Sequence, residues 1–261
     1  MADQRLGIEP DVAPAPEQRA PACTLMGAPI HDVTMAETLA LIAQWIDAGG
    51  VHQIATVNPE FLMKARRDQN FRATLQRAAL CIPDGIGVLW AARLRGKKLR
   101  ERVAGSDLVP RLTAEAAQHG WRIFYLGAAP GVAEKAADIL AARYPGLNVA
   151  GCYAGSPAPE EEEDIVARVR TARADILLVA YGAPKQDLWL DRNLARTGAT
   201  VGIGVGGAFD FIAGVSRRAP RWIQRLGLEW FYRLAREPWR WRRQLALPHF
   251  AWLVLTGRDA P

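Results

Sequence analysis

WRIFYLGAAPGVAEKAADILAARYPGLNVAGCY, residues 121–153, carries three patterns in a row. Trp121–Leu126 is a short run rich in β-formers, Pro130 to about Tyr144 repeats apolar residues at helical spacing, and Leu147–Tyr153 is strand-like again. Strand, helix and strand joined by short connections make a βαβ unit, whose strands lie parallel. The alternation continues downstream. Pro159-Glu-Glu-Glu-Glu-Asp164 sets acids on the positive end of a helix, Asp175–Tyr181 reads as a strand, Pro184–Arg196 as a helix and Ala199–Val205 as the last strand of the body.

Upstream the pattern is similar. A short strand is expected near Thr24–Met26, and Thr34-Met-Ala-Glu37 is a capping box opening a helix to about Asp47. Strand His52–Val57, helices near Pro59–Arg67 and Phe71–Ala79, and a short strand Leu80–Ile82 follow; Asp107–His119 reads helical. The fold class is therefore α/β: a Rossmann-like, mostly parallel sheet flanked by helices, with a C-terminal helical appendage. The expected divisions are a disordered tail over 1–22, an α/β domain over 23–216 and a basic amphipathic appendage over 217–261.

The 261 residues are 50% hydrophobic and 23% charged, which fits an ordinary globular chain. Cys23, Cys81 and Cys152 form neither a disulfide framework nor a CxxC pair. No stretch reaches the ~18 consecutive apolar residues of a membrane helix, because Asp210 or Pro248 and His249 interrupt the best runs. Residues 1–22 lack the basic start and apolar core of a signal peptide.

Charge is unevenly placed. Between 217 and 243, nine arginines against Glu229 and Glu237 leave +7, so the remainder carries −1 of the total +6. A near-neutral body with one cationic segment argues against nucleic acid and for a local anionic target such as a phosphate, a diphosphate or an anionic membrane surface. Within the segment, Trp222, Ile223, Leu226, Trp230, Phe231 and Leu234 recur at helical spacing while Arg225, Arg233 and Arg236 take other faces. Such a helix suits a membrane interface, and it equally suits docking on its own domain or on a second copy in a homo-oligomer.

Gly202-Ile-Gly204-Val-Gly206-Gly207 satisfies the GxGxxG string of dinucleotide sites. Its context differs: there the glycines follow the strand, with an acid about 20 residues on, whereas Gly202 and Gly204 fall inside the strand and residues 217–228 offer arginine. The expectation is that these glycines let a nucleotide approach closely. A nicotinamide-dependent oxidoreductase remains the alternative enzyme, and a peripheral membrane binding module the non-catalytic one. Leu126-Gly127-Ala-Ala-Pro130-Gly131 is either a phosphate-holding helix start or a tight turn.

Several polar residues fall at strand ends. Pro83-Asp84-Gly85 follows one strand, Thr56 and Asn58 end another, and Gln186 in Gly182-Ala-Pro-Lys-Gln186-Asp187 follows a third. Each alone reads as turn, strand-end or helix-start chemistry, but together they converge on the sheet edge where open α/β folds bind ligands. No DxD pair occurs and His31, His52, His119 and His249 are isolated, so no metal–diphosphate clamp or zinc site is expected, and arginine is the evident supply of positive charge for a departing diphosphate.

Taken in order, Thr56-Val-Asn58-Pro-Glu60, Pro83-Asp84-Gly85-Ile-Gly87, Gly182-Ala-Pro-Lys-Gln186, Gly204-Val-Gly-Gly-Ala-Phe-Asp210 and the Gly227-Leu-Glu229-Trp, Tyr232-Arg233 and Glu237-Pro238 elements of the tail resemble the WecG/TagA/CpsF glycosyltransferases, glycosyltransferase family 26, over about residues 24–255. The resemblance implies an inverting transferase that moves a hexose (N-acetylmannosamine, its uronic acid or glucose) from a UDP-sugar to a polyprenyl-diphosphate-linked saccharide in cell-surface or exopolysaccharide biosynthesis. It implies no metal or other cofactor, and a peripheral position on the cytoplasmic face of the plasma membrane. By position, Asp84 is similar to the general base, with Thr56 beside it as a catalytic residue. Asn58, Gly85, Arg102 and Gln186 are similar to residues lining the substrate site, and Asp210 to a nucleotide contact. Arg233, Arg240 and Arg243 match arginines held to close over the diphosphate. The family often has Glu where this chain has Asp187.

Overall fold

The computed structural model describes residues 19–220, 223, 229–236, 241 and 246–258. Six parallel strands form its central sheet in the order β4-β3-β8-β7-β5-β6. They are β3 (His52–Val57), β4 (Leu80–Pro83), β5 (Arg122–Gly127), β6 (Asn148–Tyr153), β7 (Ile176–Ala180) and β8 (Val201–Gly204). Parallel strands covered on both faces read as continuous apolar runs. Ile-Leu-Leu-Val-Ala of β7 is such a run, buried throughout.

Successive side chains of each strand serve opposite faces. Ile176, Leu178 and Ala180 of β7 join one core with Ile54 of β3. That face is covered by α1 (Met35–Ala48), α5 (Gly105–His119), α6 (Val132–Arg143) and the short α9 (Ala208–Ile212). Leu177 and Val179 face α7 (Pro159–Ala172) and α8 (Lys185–Thr197). Ala55 and Val57 of β3 face α2 (Pro59–Arg67), α3 (Gln69–Arg77) and α4 (Ile86–Leu94). β3 feeds α2 on one face while the adjacent β8 feeds α9 on the other, and it is at the carboxyl ends of such a strand pair that open α/β sheets bind ligands.

Local signals were mostly obeyed. The capping box of α1 is complete: Thr34 Oγ1 accepts from Glu37 N (3.1 Å) and Glu37 Oε2 accepts from Thr34 N (3.0 Å). Two differences stand out. The single strand expected near Thr24–Met26 is half of an antiparallel hairpin, β1 (Cys23–Leu25) and β2 (Ala28–Ile30). Its turn sets Met26 and Gly27 at φ 49° and 81°, the primed-turn geometry that Asn-Gly usually announces and Met-Gly does not. Ala22 N adds a further bond to Ile30 O (2.8 Å), so this part of the expected tail is ordered, and 1–18 lie outside the described residues. The helix expected from Asp107 begins instead at Gly105, which matters for the site.

Beyond the body, α10 (Glu229–Arg236) and α11 (Ala246–Leu255) are described. The inner face of α11 buries Phe250, Leu253 and Val254 in the core shared with α2 and α4, so this helix is docked on its own domain. Of the amphipathic run expected from Trp222, residues 223 and 229–236 are described, the latter as α10, while 222 and 224–228 lie outside the described residues.

Candidate active site

β4 delivers Asp84 to the sheet edge. Asp84 N donates to Val57 O (2.8 Å), one step past the β3–β4 ladder, and Val103 N donates to Pro83 O (2.9 Å), pinning the turn from both sides. The chain then leaves through Gly85 at φ 145° and ψ 140°, a conformation open essentially to glycine alone. This drives the backbone into α4 and leaves the Asp84 carboxyl facing the N-terminus of α5. There Asp84 Oδ2 accepts from Gly105 N (3.2 Å). The N-cap position of α5 is Ala104, which has no side-chain oxygen, so Asp84 satisfies an amide that would otherwise be bare. Gly105 permits the approach: a Cβ there would lie 3.2 Å from Thr56 Cγ2.

Asp84 is half-buried, and removal of water from its carboxyl pushes its pKa up to about 6. The Gly105 amide and Arg102 pull it down, while Glu229 and Asp107 push it further up. The group is thus mostly ionised at neutral pH yet basic enough to take a proton, the balance a general base needs.

Thr56, Asn58 and Gln186 are brought to the same edge with their side-chain oxygens engaged by backbone groups. Thr56 is buried, and its hydroxyl donates to the Gly204 carbonyl (2.9 Å), joining β3 to β8. Asn58 Oδ1 accepts from Phe61 N (3.1 Å) and caps α2. Gln186 is buried, and its Oε1 accepts from Gly182 N (3.1 Å) and Gly206 N (3.0 Å), tying the loop after β7 to the loop after β8. Asp210 lies in the first turn of α9, beyond the Gly206-Gly207 turn, with its carbonyl accepting from Ser216 N (3.0 Å). Arg233 lies on α10, and Arg240 and Arg243 fall outside the described residues.

The expectation for Gly202 and Gly204 is overturned. A Cβ on Gly202 would come within 2.7 Å of Leu190 and Leu194, and one on Gly204 would lie 2.5 Å from Gln186 Nε2 and 2.8 Å from Asp187 Oδ1. Side chains of α8 fill the space these glycines leave, so they serve helix-on-strand packing, not nucleotide approach. The neighbouring Asp187 is fully buried, neither carboxyl oxygen finds a hydrogen-bond partner, and burial pushes its pKa up to about 7.

Three charged residues not singled out from the sequence as site residues complete the edge. Arg218 grips Asp107 with both terminal nitrogens (2.5 and 2.8 Å) and places Nε 3.5 Å from Glu229. Arg102 reaches Glu229 (3.3 Å) and Asp107 (3.5 Å). Two cations and two carboxylates thereby fasten α10 beside Asp84 and hold its pKa-setting charges. The clue in the sequence was Glu229, an acid set among arginines.

Two concavities elsewhere contain none of the predicted residues: one at the amino ends of β3 and β4, near Trp45, His52 and Asp191, and one between β6 and α7. Among the described residues no group of three or more His, Cys, Asp or Glu side chains gathers as a metal site would require.

Known proteins resemble the chain over most of its length. The profile of the "Glycosyl transferase WecG/TagA/CpsF family" matches residues 23–260. An "N-acetylglucosaminyldiphosphoundecaprenol N-acetyl-beta-D-mannosaminyltransferase" of Bacillus subtilis (strain 168) is 37% identical over 203 residues, covering 77% of this chain and 78% of that protein. The protein of the same name from Bacillus spizizenii (strain ATCC 23059 / NRRL B-14472 / W23) is 35% identical over 207 residues, covering 79% of this chain and 80% of its own length.

Proposed function

The chain belongs to the WecG/TagA/CpsF family of glycosyltransferases, and from that premise we propose that it transfers N-acetylmannosamine from a UDP-sugar to a polyprenyl-diphosphate-linked saccharide, with inversion. The observation that carries the reading is Asp84: a half-buried carboxyl with its pKa raised to about 6, held at the carboxyl ends of the parallel strands against the N-terminus of α5. The names of the two Bacillus relatives support the sugar and the lipid diphosphate acceptor.

Inverting transfer needs one base to take the proton of the acceptor hydroxyl while its oxygen attacks the anomeric carbon opposite the departing diphosphate. Asp84 is assigned that proton. The bond to UDP breaks as the new glycosidic bond forms, and the leaving diphosphate gathers charge that arginine stabilises more in the transition state than before it. Arg102 is one arginine at the edge, and Arg233, Arg240 and Arg243 of the tail are proposed to close over the diphosphate, without a metal. Thr56, Gln186 and Asn58, whose side-chain oxygens are engaged by backbone groups, are proposed to shape the floor on which Asp84 and the sugar are set.

No helix among the described residues is long and apolar enough to cross a membrane, so the lipid-linked acceptor is proposed to be met from a peripheral position on the cytoplasmic face. The test is a screen of UDP-sugars against a lipid-linked N-acetylglucosaminyl diphosphate acceptor, following UDP release with and without a chelator. Turnover of UDP-N-acetylmannosamine in both conditions is expected. Preference for its uronic acid or for UDP-glucose would replace the sugar, loss on chelation would replace the metal-free chemistry, and no turnover of any UDP-hexose would remove the reading.

A further inference from the structure

α4 leaves the active-site turn directly after Asp84-Gly85, and one of its faces is uncovered. Val88, Ala91 and Ala92 are buried in the body, while Ile86, Trp90 and Leu94 are 39%, 68% and 58% exposed. These three stand at i, i+4 and i+8, so with exposed Arg93 they share an arc of about 100° on the helix. A lone exposed apolar residue is ordinary, but a Trp between two aliphatic side chains on one stripe is a surface built to be covered.

Charge indicates what covers it. Residues 85–100 hold five cations and no carboxylate. Arg100 is spent on Asp32 and Glu37, but Arg93, Lys97 and Lys98 are exposed and form no ion pair among the described residues. A second copy of the chain packed through this patch in twofold fashion would set like charges face to face. An anionic bilayer meets both halves at once: apolar side chains enter the boundary of the acyl region, the indole sits at headgroup depth, and Lys and Arg reach lipid phosphate. Neighbouring α11 also exposes Trp252 and Leu255, with Arg258 over the Trp252 ring.

We propose that α4 and the loop following it are a membrane contact built into the α/β body, separate from the arginine-rich C-terminal segment, in which Ile86, Trp90 and Leu94 insert and Arg93, Lys97 and Lys98 bind an anionic lipid surface. Resting on the function proposed above, this contact holds Asp84, two residues before Ile86, at the depth where a lipid-linked diphosphate presents its sugar.

The test uses the full chain in flotation with phosphatidylcholine vesicles, with and without phosphatidylglycerol, comparing wild type with Trp90→Gln/Leu94→Gln and with Lys97→Gln/Lys98→Gln. At about 1 kcal/mol per surface lysine, the charge variant is expected to lose tenfold or more in binding to phosphatidylglycerol vesicles. The apolar variant should weaken as well. Both should keep wild-type turnover on a short-chain, water-soluble acceptor and lose it on the vesicle-embedded one. Unchanged flotation of both variants overturns the proposal, as does a change confined to molecular mass in light scattering, which would make the stripe an interface between copies. If the wild type turns over neither acceptor while the variants still lose vesicle binding, the contact stands and the proposed reaction falls.

Discussion

The turn after β4 and the first turn of α8 each carry an aspartate whose pKa burial has raised, to about 6 at Asp84 and about 7 at Asp187. Their surroundings differ. Asp84 is half-buried, accepts from the Gly105 amide and sits within the field of Arg102, Glu229 and Asp107. Asp187 is sealed in, neither oxygen makes a hydrogen bond of good geometry, and the nearness of its own amide, Gln186 and Lys64 only partly offsets the cost of burial. A raised pKa alone therefore does not distinguish a base from a strained packing residue; access to the proton it is to receive does.

The sharpest way to break this contrast is to neutralise each aspartate in turn. Asp84→Asn should lower transfer by roughly 10²- to 10⁴-fold while UDP binding, followed by calorimetry, persists. Asp187→Asn should leave the rate within about tenfold. Equal losses from the two would mean that both act at one site.

Stability should rank them the other way, because the rise is larger at Asp187 than at Asp84. A carboxyl whose folded pKa lies above its unfolded value binds more protons when folded, so stability falls as pH rises from about 4 to about 7 and the cost is complete above that. Asp187→Asn should match wild type in urea unfolding near pH 4 and be more stable at pH 8, by up to roughly 4 kcal/mol. A variant no more stable at pH 8 would show that this carboxyl is paired.

Smaller effects test the walls between the two aspartates. Gly204→Ala pushes a methyl against Gln186 and Asp187 and should cost roughly 1–3 kcal/mol in unfolding experiments. A stable variant that lost only UDP affinity would restore the glycine to nucleotide contact. The smallest change is expected from Glu229→Gln. The acid limb of kcat/KM should have an apparent pKa near 6, and removing a like charge should move it down by a few tenths. An upward shift would reverse the assigned role of Glu229.

The meeting of several candidate residues at one sheet edge could be read before the structure. Asp84, Thr56, Asn58 and Gln186 were legible because strand ends in a parallel sheet share one edge, whatever the strand order. Glu229, Asp107 and Arg218 were not, because Asp107 meets Arg218 across 111 residues and Glu229 meets Arg102 across 127, and no local pattern records either encounter. The packing role of Gly202 and Gly204 was hidden for a related reason: GxGxxG describes missing side chains, and only the position of α8 reveals what fills the gap. The β1–β2 hairpin was missed where Met26 occupies a turn position that local chemistry disfavours.

Periodicity, caps and turn residues, all set within a few positions of one another, determined the α/β class, the span of most elements and which polar residues reach the carboxyl edge of the sheet. Tertiary structure alone decided which carboxyl is open and which is sealed, which arginines are already paired, that α11 rests on the body and that the stripe on α4 does not. Those outcomes depend on loss of water and on through-space charge, quantities that exist only once distant segments have closed around one another.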